Sequence, residues 1–501
     1  MLVDSFSEWT RGDPLRTLPL HWRHVTPREL NSDWMGGGHP GTPWLHEHME
    51  ALEELRAALP GDVVVTDAAA VEKYRHDWSR DPSAGTPIAV VRAEDAAQVQ
   101  TAVRWAAAHR VPVVPRGAGS GLSGGSSAVD GGIVLSLERM TAVEIDPGSQ
   151  VAVVEPGAFN KDVKAAAAEE GLWYPPDPSS YEICSIGGNV ATNAGGLCCV
   201  KYGVTTDYVL GIDVVLADGT LVELGGKRIK DVAGLSLVKL FVGSEGTLGI
   251  VTRAILRLVP AQEARSTLVA TFASVHAAAE AVVAMRSTMR PCLCELMDRA
   301  AVNAVEDYRS MGLDRSAGAL LITQSDAPGE VRSTELATMH AACVAAGAVE
   351  CFTTDDAAEG EQFVQARRMS FPALEARGSL LLEDVGVPIP LLPDLLDAIG
   401  RVAASYDVEI PVVAHAGDGN THPNIVYDPG DPDSERRARA AFGEVMAAAI
   451  ALGGTITGEH GVGKAKAVAL PDQLGPDVMA LTRKIKDALD PDGILNPGTI
   501  L

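Results

Sequence analysis

A run of glycine and serine residues at positions 117–127 lies between two predicted strands and limits the folds open to this chain. Before the run, residues 87–91 and 111–115 predict strands, and the amphipathic stretch 94–109 predicts a helix. Positions 119–124 match G-x-G-x-x-G, a pattern that opens a helix in dinucleotide-binding folds. Here Asp130, Gly131 and Gly132 lead instead into residues 133–137, which predict another strand. The sequence therefore excludes the usual dinucleotide-binding unit at this loop.

The same loop is suited to binding phosphate. Closely spaced glycines let several backbone N–H groups converge on one anion, and Ser120, Ser123, Ser126 and Ser127 add hydroxyl donors. The alternative is a flexible surface turn. Because the run is tied between two predicted strands, we favour an anion-binding loop.

Two further stretches are poor in large side chains. Residues 185–196 interleave glycine and alanine with asparagine and threonine, and residues 243–252 contain three glycines. Such bare backbone suits the close approach of a flat polar ligand.

The pattern changes after residue 262. Predicted strands at 267–272, 292–297, 319–323 and 349–353 alternate with predicted helices, without a glycine-rich loop, which is typical of an α+β domain. We predict four parts: an irregular arm (1–44), a ligand-binding domain (45–262), a substrate or cap domain (263–454) and a C-terminal segment (455–501) that folds back onto the ligand-binding domain.

A histidine pair flanks a predicted hairpin at residues 414–427. Asp-Gly between β-forming runs favours a two-residue turn, so we expect Asp418 and Gly419 at its centre and His415 opposite His422. Directly opposed residues share a face of the sheet, with Cβ atoms about 4.5–5.5 Å apart. Two imidazoles at this spacing can hold one metal ion, and Asn424 points to the same side.

A second polar loop, G-E-H-G-V-G at residues 458–463, supplies Glu459 and His460. Two histidines and a glutamate form a common three-ligand set for a catalytic divalent metal, which leaves His460 for proton transfer. A packed or solvated histidine is the ordinary alternative for any one of these residues. Their joint occurrence in two glycine-rich loops favours a site, and the chain has no H-E-x-x-H helix of the zincin type.

Charge and cysteine usage exclude several classes of function. The formal net charge is −25, which disfavours nucleic acid or an anionic membrane as a partner through bulk electrostatics. An anionic substrate would need a local cation; Arg367 and Arg368 lie on a predicted helix and could bind a carboxylate, unless they form a solvated face. The seven cysteines include no C-x-x-C pair, which disfavours a structural zinc or iron–sulfur site and favours a reducing compartment.

No signal peptide or membrane span is predicted, so we expect a cytoplasmic protein. A peripheral position at the inner membrane is left open.

Six motifs together carry a family resemblance. They are the loop 115–125, the segment 187–196, the stretch 243–252, the H-A-G-D-G-N-x-H hairpin (415–422), G-E-H-G-V-G (458–463) and the terminal N-P-G (496–498). In this order they resemble the FAD-linked oxidase family, which includes the glycolate oxidase D subunit, FAD-dependent D-lactate dehydrogenases and D-2-hydroxyglutarate dehydrogenases. The resemblance implies an α+β fold with a two-subdomain FAD-binding domain of the p-cresol methylhydroxylase (PCMH) and vanillyl-alcohol oxidase type. The cap domain would be ferredoxin-like.

The resemblance also implies a set of FAD-contacting residues. They are Pro115, Arg116, Gly117, Ala118, Gly119, Ser120, Gly121, Gly124, Gly125, Pro176, Asp177, Gly187, Gly188, Ala191, Asn193, Glu245, Gly246, Ile250 and Asn496. Relatives that bind FAD covalently attach it through His, Tyr or Cys. None of these occurs in residues 112–132, so we expect noncovalent FAD.

The implied activity is oxidation of a small D-2-hydroxy acid, of the D-lactate or glycolate type, to the 2-oxo acid by hydride transfer to flavin N5. His415, His422 and Glu459 would hold a zinc or manganese ion, His460 would be the base, and Arg367 would bind the substrate carboxylate. The electron acceptor is left open among a quinone, a cytochrome, an electron-transfer flavoprotein and an iron–sulfur partner subunit, and a homodimer is also left open.

Two departures from the family pattern bear on the substrate. Thr499 replaces the lysine of the common N-P-G-K ending. Relatives that act on dicarboxylates carry a lysine shortly before the D-x-x-x-P strand, where this chain has Leu382, Glu383 and Asp384, so a smaller acid is expected. The alternatives are an enzyme like alkyl-glycerone-phosphate synthase, whose consecutive histidines are missing here, and a noncatalytic flavin subunit that only passes electrons.

Overall fold

The computed structural model describes the chain from residue 43 to residue 501, so the predicted arm lies outside the described residues except for its last two. Residues 51–501 form one compact unit. Its first sheet has the order β1-β2-β4-β3, with β4 parallel to both β2 and β3. The elements of this part are α1 (Pro43–Ala58), β1 (Val64–Val65), α2 (Ala68–Glu72), β2 (Ala89–Arg92), α3 (Ala96–His109), β3 (Val113–Arg116) and β4 (Ile133–Ser136).

Helix α3 covers this sheet because its apolar residues share one face. Asp95 caps the helix by accepting a hydrogen bond from the backbone N–H of Gln98 at 2.8 Å. Val99, Val103 and Ala106 are fully buried in the core that the helix shares with the sheet. The glycine- and serine-rich run connects β3 to β4 without opening a helix, as the sequence predicts.

The second sheet is antiparallel, with the order β5-β6-β10-β8-β9, and a two-stranded ribbon joins β7 to β11. Residues 185–196, which we expected to be bare backbone, contain a short helix. The elements are β5 (Val143–Asp146), β6 (Val151–Val154), α4 (Asn160–Glu169), β7 (Leu172–Trp173), α5 (Ile186–Thr192), α6 (Cys199–Tyr202), β8 (Val209–Val215), β9 (Leu221–Gly225), α7 (Leu237–Phe241), β10 (Ile250–Arg257) and β11 (Val259–Pro260).

The largest sheet follows after residue 262 and has the order β15-β12-β14-β13-β18-β19-β16, with β17 also paired to β19. Its first four strands occur in the spatial order 4-1-3-2 of a ferredoxin-like sheet. The elements are β12 (Ser266–Phe272), α8 (Val275–Arg286), β13 (Leu293–Asp298), α9 (Arg299–Tyr308), β14 (Ala319–Ser325), α10 (Gly329–Ala345), β15 (Glu350–Thr354), α11 (Ala357–Arg368), α12 (Ser370–Glu375), β16 (Ser379–Leu382), β17 (Val385–Gly386), α13 (Leu392–Tyr406), β18 (Val412–His415), β19 (Asn420–Tyr427), α14 (Pro432–Ala451) and α15 (Leu470–Leu489).

The end of the chain returns to the first sheet. The backbone N–H of Val113 donates to the carbonyl of Ile494, and the N–H of Asn496 donates back to the carbonyl of Val113, both at 2.8 Å. Leu495 forms a parallel bridge to Val113 and is fully buried. The exact domain boundaries at 262 and 454 stay predictions.

None of the helices in residues 43–501 is long and apolar enough to cross a membrane.

Candidate active site

The predicted register of the histidine hairpin is wrong. His415 pairs with Asn420 and Val413 pairs with His422, so the turn contains four residues, 416–419, instead of two. Neighbouring backbone widens the turn: Gly417 donates to the carbonyl of Cys294, and Gly419 accepts from the N–H of Val387. His415 and His422 are diagonal neighbours on one face of the sheet, since 420 and 422 point to the same side. Their ring centroids lie 4.9 Å apart and the rings are nearly perpendicular, at 86°.

Glu459 lies between the two imidazoles. Its Oε1 is 3.0 Å from Nε2 of His415 and 3.3 Å from Nε2 of His422. One ligand atom from each residue lies within 4.8 Å of the others. Burial opposes ionisation of Glu459, but the charge of His415 and its hydrogen bond outweigh burial and hold the pKa of Glu459 well below its usual range. The cluster therefore presents a carboxylate and two ring nitrogens to one point.

Glu295 supports the far side of His415. Its carboxylate oxygens lie 2.7 and 2.9 Å from Nδ1 of His415, and the residue is fully buried on β13. Burial disfavours the charged form of His415, but Glu295 and Glu459 together raise its pKa well above the usual value. For His422, burial lowers the pKa to about 4. A carboxylate at Nδ1 fixes ring orientation and leaves Nε2 facing the cluster, which is the arrangement found behind metal-binding histidines.

Asp384 holds the loop that carries Glu459 and His460. Its Oδ2 accepts the backbone N–H groups of Gly458, Glu459 and His460 at 2.8, 2.9 and 2.8 Å. Its Oδ1 accepts from Nδ2 of Asn420 on the hairpin at 2.8 Å. Burial opposes ionisation, but nearby positive charge, chiefly of His460, holds the pKa of Asp384 far below its usual range. One buried carboxylate thus fixes the loop against the hairpin.

A buried ion pair lies directly behind Asp384. Nζ of Lys466 is 2.8 Å from Oε2 of Glu383 and donates to the carbonyl of Ile456 at 2.7 Å. Both charged side chains are almost completely buried, and burial raises the pKa of Glu383 to about 7.

His460 is the most accessible of the three clustered histidines, with 16% of its side chain exposed against 4% for His415 and 6% for His422. Its ring stacks on His422 at 4.8 Å and 13°. Asp384, His422 and His460 form a second group close enough to hold a cation. That group is the poorer one, because both oxygens of Asp384 already accept hydrogen bonds. His460 is therefore the most accessible imidazole of the cluster.

Arg367 is buried beside this cluster and is incompletely partnered. Its Nε lies 2.9 Å from Oε2 of Glu295, but the approach is not aligned for a hydrogen bond. Neither Nε nor Nη2 has a hydrogen-bond partner within the described part of the chain. Arg368 also has two buried donors, Nε and Nη1, without a hydrogen-bond partner among the described residues, but it lies elsewhere, stacked on Tyr181 at 4.9 Å and 3.7 Å from Asp177. A buried guanidinium with free donors is suited to bind an anion.

The glycine loop after β3 packs closely enough at Gly117 to exclude a side chain there. A Cβ on Gly117 would lie 2.2 Å from Oγ of Ser185, which accepts the backbone N–H of Ala118 at 3.1 Å. A Cβ on Gly246, where φ is +72°, would lie 2.3 Å from the ring of Pro115. The loop, α5 and the 243–250 stretch are therefore adjacent, and their bare backbone suits the close approach of a flat cofactor.

Several residues predicted to contact the cofactor form side-chain hydrogen bonds to the protein backbone instead. Glu245 accepts the N–H groups of Val462 and Gly463 at 2.7 and 2.8 Å, and burial raises its pKa to about 7. Nδ2 of Asn496 donates to the carbonyls of Gly125 and Glu245, whereas its buried Oδ1 has no partner among the described residues. That orphaned oxygen is free to accept a hydrogen bond from a cofactor.

The remaining predicted cofactor residues fall into three groups. Those beside the first sheet are Arg116, Gly119, Ser120, Gly121 and Gly124, and Nη1 of Arg116 donates to the carbonyl of His76 at 2.9 Å. Those on or next to α5 are Gly187, Gly188, Ala191 and Asn193, and Ala191 accepts the N–H of Glu245 at 2.8 Å. The others are Pro176, Asp177 and Ile250; Asp177 accepts the N–H of Cys198 at 2.9 Å, and Ile250 is buried at the start of β10.

A cavity of about 480 Å³ reaches the cluster of His415, His422 and Glu459, and Gly195 also lines it. A Cβ on Gly195 would lie 2.6 Å from Oε2 of Glu459, so only glycine leaves this carboxylate its place.

Comparison with known sequences decides the family. The family described as FAD binding domain matches residues 87–225, and the family described as FAD linked oxidases, C-terminal domain, matches residues 261–500. The chain is 42% identical to the glycolate oxidase subunit GlcD of Bacillus subtilis over 82% of this chain and 88% of that protein. This chain belongs to the FAD-linked oxidases. It is also 34% identical to a D-lactate dehydrogenase of Archaeoglobus fulgidus over 86% of this chain and 96% of that protein.

Solved structures agree on the fold of this FAD-linked oxidase. p-Cresol methylhydroxylase superposes with a TM-score of 0.77 at 19% identity, over 91% of this chain and 97% of the other. Alkyldihydroxyacetonephosphate synthase superposes with a TM-score of 0.70 at 18% identity, over 96% of this chain and 88% of the other. At these identities the likeness concerns the fold alone. The predicted α+β, PCMH-type FAD-binding fold is confirmed, and the protein is an FAD-dependent oxidoreductase.

Sequence reasoning missed Glu295 and gave Asp384 no role. The available signal for Glu295 was a single acidic residue inside the apolar predicted strand 292–297. For Asp384 it was a pair of acidic residues, Glu383 and Asp384, between the apolar residues that form β16 and β17.

Proposed function

We propose that this FAD-linked oxidase converts a small D-2-hydroxy acid, of the D-lactate or glycolate type, into the 2-oxo acid. The observation that carries the proposal is the buried Arg367, whose free donors lie beside the His415, His422 and Glu459 cluster. An anion site next to a metal-type site matches a substrate with adjacent carboxylate and hydroxyl groups. The names of the relatives, a glycolate oxidase subunit and a D-lactate dehydrogenase, support the same substrate class.

FAD, bound noncovalently, would accept the hydride from Cα of the substrate. The chain's own part is to expose backbone and a few acceptors to the cofactor. The cradle formed by Gly117, Gly246 and the free Oδ1 of Asn496 fits this role.

His415, His422 and Glu459 would hold a divalent zinc or manganese ion, which would polarise the substrate hydroxyl. Two imidazoles and a carboxylate suit either ion. Glu295 keeps Nδ1 of His415 engaged, so Nε2 is the nitrogen available as a ligand. Asp384 presents Glu459 by fixing the backbone N–H of that residue.

His460 would take the hydroxyl proton. Its ring is more accessible than those of its two neighbours, and its backbone is fixed by Asp384 at 2.8 Å. A positioned base of this kind accelerates a reaction by roughly 10²–10⁴-fold.

The preference for a small acid rests on the place where relatives that act on dicarboxylates carry a lysine. Here that stretch reads Leu382, Glu383 and Asp384, and Leu382 pairs with Asn424 on β19. This stretch has no positive charge to pair with the second carboxylate of a dicarboxylate, so glycolate or D-lactate fits better.

The test is a panel of D- and L-2-hydroxy acids added without oxygen to the FAD-loaded protein, with flavin absorbance as the readout. Bleaching by D-lactate or glycolate, and not by L-lactate or D-2-hydroxyglutarate, is the expected result. A flavin that no 2-hydroxy acid reduces, although dithionite does, would refute the proposal and favour a synthase-like or electron-passing role. In the proposed reaction, the reduced flavin would pass its electrons to a quinone, a cytochrome, an electron-transfer flavoprotein or an iron–sulfur subunit. Assays with these acceptors would identify which one is used.

A further inference from the structure

The connection between β9 and α7 is the most exposed apolar stretch in the described part of the chain. Ile229, Val232 and Leu235 are 73%, 97% and 85% exposed. Large apolar residues elsewhere on the surface are less exposed, such as Val349 at 66% and Leu481 at 58%. Scattered apolar residues are ordinary on a protein surface, but three neighbouring ones at these exposures mark an interaction site.

The charge of this connection is opposite to that of the molecule. The connection together with the first residues of α7, residues 227–239, contains four basic residues and one acidic residue. Their charges sum to +3, in a chain of net charge −25. Lys227 pairs with Asp146 at 2.9 Å, and Arg228 pairs with Asp231. Lys230 and Lys239 have no ion-pair partner among residues 51–501.

The position of the connection leaves it accessible. It follows β9, an edge strand of the second sheet, and among the described residues its ion pair to another element joins Lys227 to Asp146 on β5.

We propose that residues 227–239, the docking loop, bind the protein to an anionic lipid surface. The aliphatic side chains would enter the boundary between headgroups and acyl chains, and the lysines would contact the headgroups. This inference does not depend on the substrate assigned above.

The composition of the docking loop favours a lipid surface over a protein partner and over a second copy of this chain. Protein interfaces are enriched in aromatic residues and depleted of lysine, whereas this loop has no aromatic residue and three lysines. A symmetric contact between two copies would place the basic loop against itself. An anionic bilayer complements both its charge and its aliphatic residues.

The experiment uses the full-length, FAD-loaded protein and sedimentation with phosphatidylcholine vesicles, with and without phosphatidylglycerol. We expect binding only to the anionic vesicles, weakened by added salt. Ile229→Ser/Val232→Ser/Leu235→Ser should reduce the partition coefficient at least tenfold. Lys230→Gln/Lys239→Gln should reduce it roughly fivefold per lysine at low salt.

The matched control is Val344→Ser/Val349→Ser/Leu481→Ser, which removes three exposed aliphatic side chains elsewhere and should leave binding unchanged. Flavin absorbance of the purified variants, and oligomeric state from light scattering, are measured in parallel. The proposal is overturned if the wild-type protein ignores anionic vesicles. It is also overturned if the docking-loop triple variant binds vesicles normally, loses FAD, changes oligomeric state, or loses a protein partner that the wild type retains.

Discussion

The carboxylate of Glu295 lies 2.7 Å from Nδ1 of His415, with Arg367 on its other side. Glu295→Gln keeps the size of the side chain but removes the charge, so it should weaken metal binding about 10–100-fold. Metal affinity is measured by competition with a chelator, and FAD content should be unchanged. Glu280→Gln, at an exposed position on α8, is the matched control. Equal metal affinity in the wild type and Glu295→Gln would contradict the supporting role.

His460→Asn tests the base. The backbone N–H at this position still donates to Asp384, so the loop should keep its place while the ring is lost. We expect the rate of flavin reduction to fall by about 10²–10⁴-fold with FAD and metal content retained. His340→Asn, at an exposed histidine on α10, should leave the rate unchanged. Normal flavin reduction by the loaded His460→Asn protein would remove the assignment.

Adjacent arginines allow a controlled test of carboxylate binding. Arg367→Lys keeps the charge but loses the planar, two-pronged donor, so KM for the hydroxy acid should rise about tenfold or more, the effect of one hydrogen bond to a charged group. Arg368→Lys should change KM far less, because Arg368 lies against Asp177 and Tyr181, whereas Arg367 lies against Glu295, which supports His415. Similar effects of the two substitutions on KM would argue against Arg367 as the anchor.

The buried pair of Lys466 and Glu383 predicts a pH-dependent stability. The folded-state pKa of Glu383 is about 7, above its ordinary 4.5. The folded protein therefore binds the extra proton, and this residue's contribution to stability falls as pH rises from about 4.5 to about 7. Lys466→Met removes the compensating charge, which should lower the free energy of unfolding by about 3–5 kcal/mol at high pH.

The loss should be smaller near pH 5, where Glu383 is more readily protonated. Thermal unfolding of the holoprotein at both pH values is the measurement. Lys466→Met/Glu383→Met should recover much of the lost stability, since no unpaired charge remains. A deficit in Lys466→Met that does not change with pH would show that lost packing, not charge, is responsible.

Gly463 predicts a steric link between the C-terminal loop and the cofactor loop. Its φ is +54°, and a Cβ there would lie 1.9 Å from the carbonyl oxygen of Ser123. Gly463→Ala should therefore displace the loop and reduce FAD retention on gel filtration. Gly347→Ala is the matched control, because φ is also positive (+85°) but no atom lies within 4 Å of the added Cβ. Equal FAD retention in the two variants would contradict the steric link between Gly463 and the cofactor loop.

Local patterns in the sequence predicted most of the fold. The strand–helix–strand unit before the glycine loop is confirmed because amphipathic periodicity and capping act over a few residues. The alternating strands and helices after residue 262 are confirmed for the same reason. The predicted register of the hairpin was wrong because the Asp-Gly pair expresses only a local preference for a two-residue turn. Two backbone hydrogen bonds to residues distant in sequence, one donated to the carbonyl of Cys294 and one accepted from the N–H of Val387, widen the turn to four residues.

The candidate site was predictable only in part. Histidines and glutamate in two glycine-rich loops could be recognised by residue type, and the structure brings His415, His422 and Glu459 together. The contact between Glu295 and His415 spans 120 positions, and only the pairing of β13 with β18 creates it. Asp384 acts through backbone N–H groups, which carry no signal in the sequence. Residues that position others are therefore harder to find than those that would touch a ligand.

The pairing of Val113 with residues 494–496 bears on how the polypeptide matures during synthesis. Translation delivers Val113 long before residues 494–496, which pair with it. The first sheet therefore keeps an incomplete edge until those residues have been synthesised. Completion of the flavin cradle thus depends on a segment made long after the first sheet, and a nascent chain stalled before Asn496 would lack one wall of the cradle.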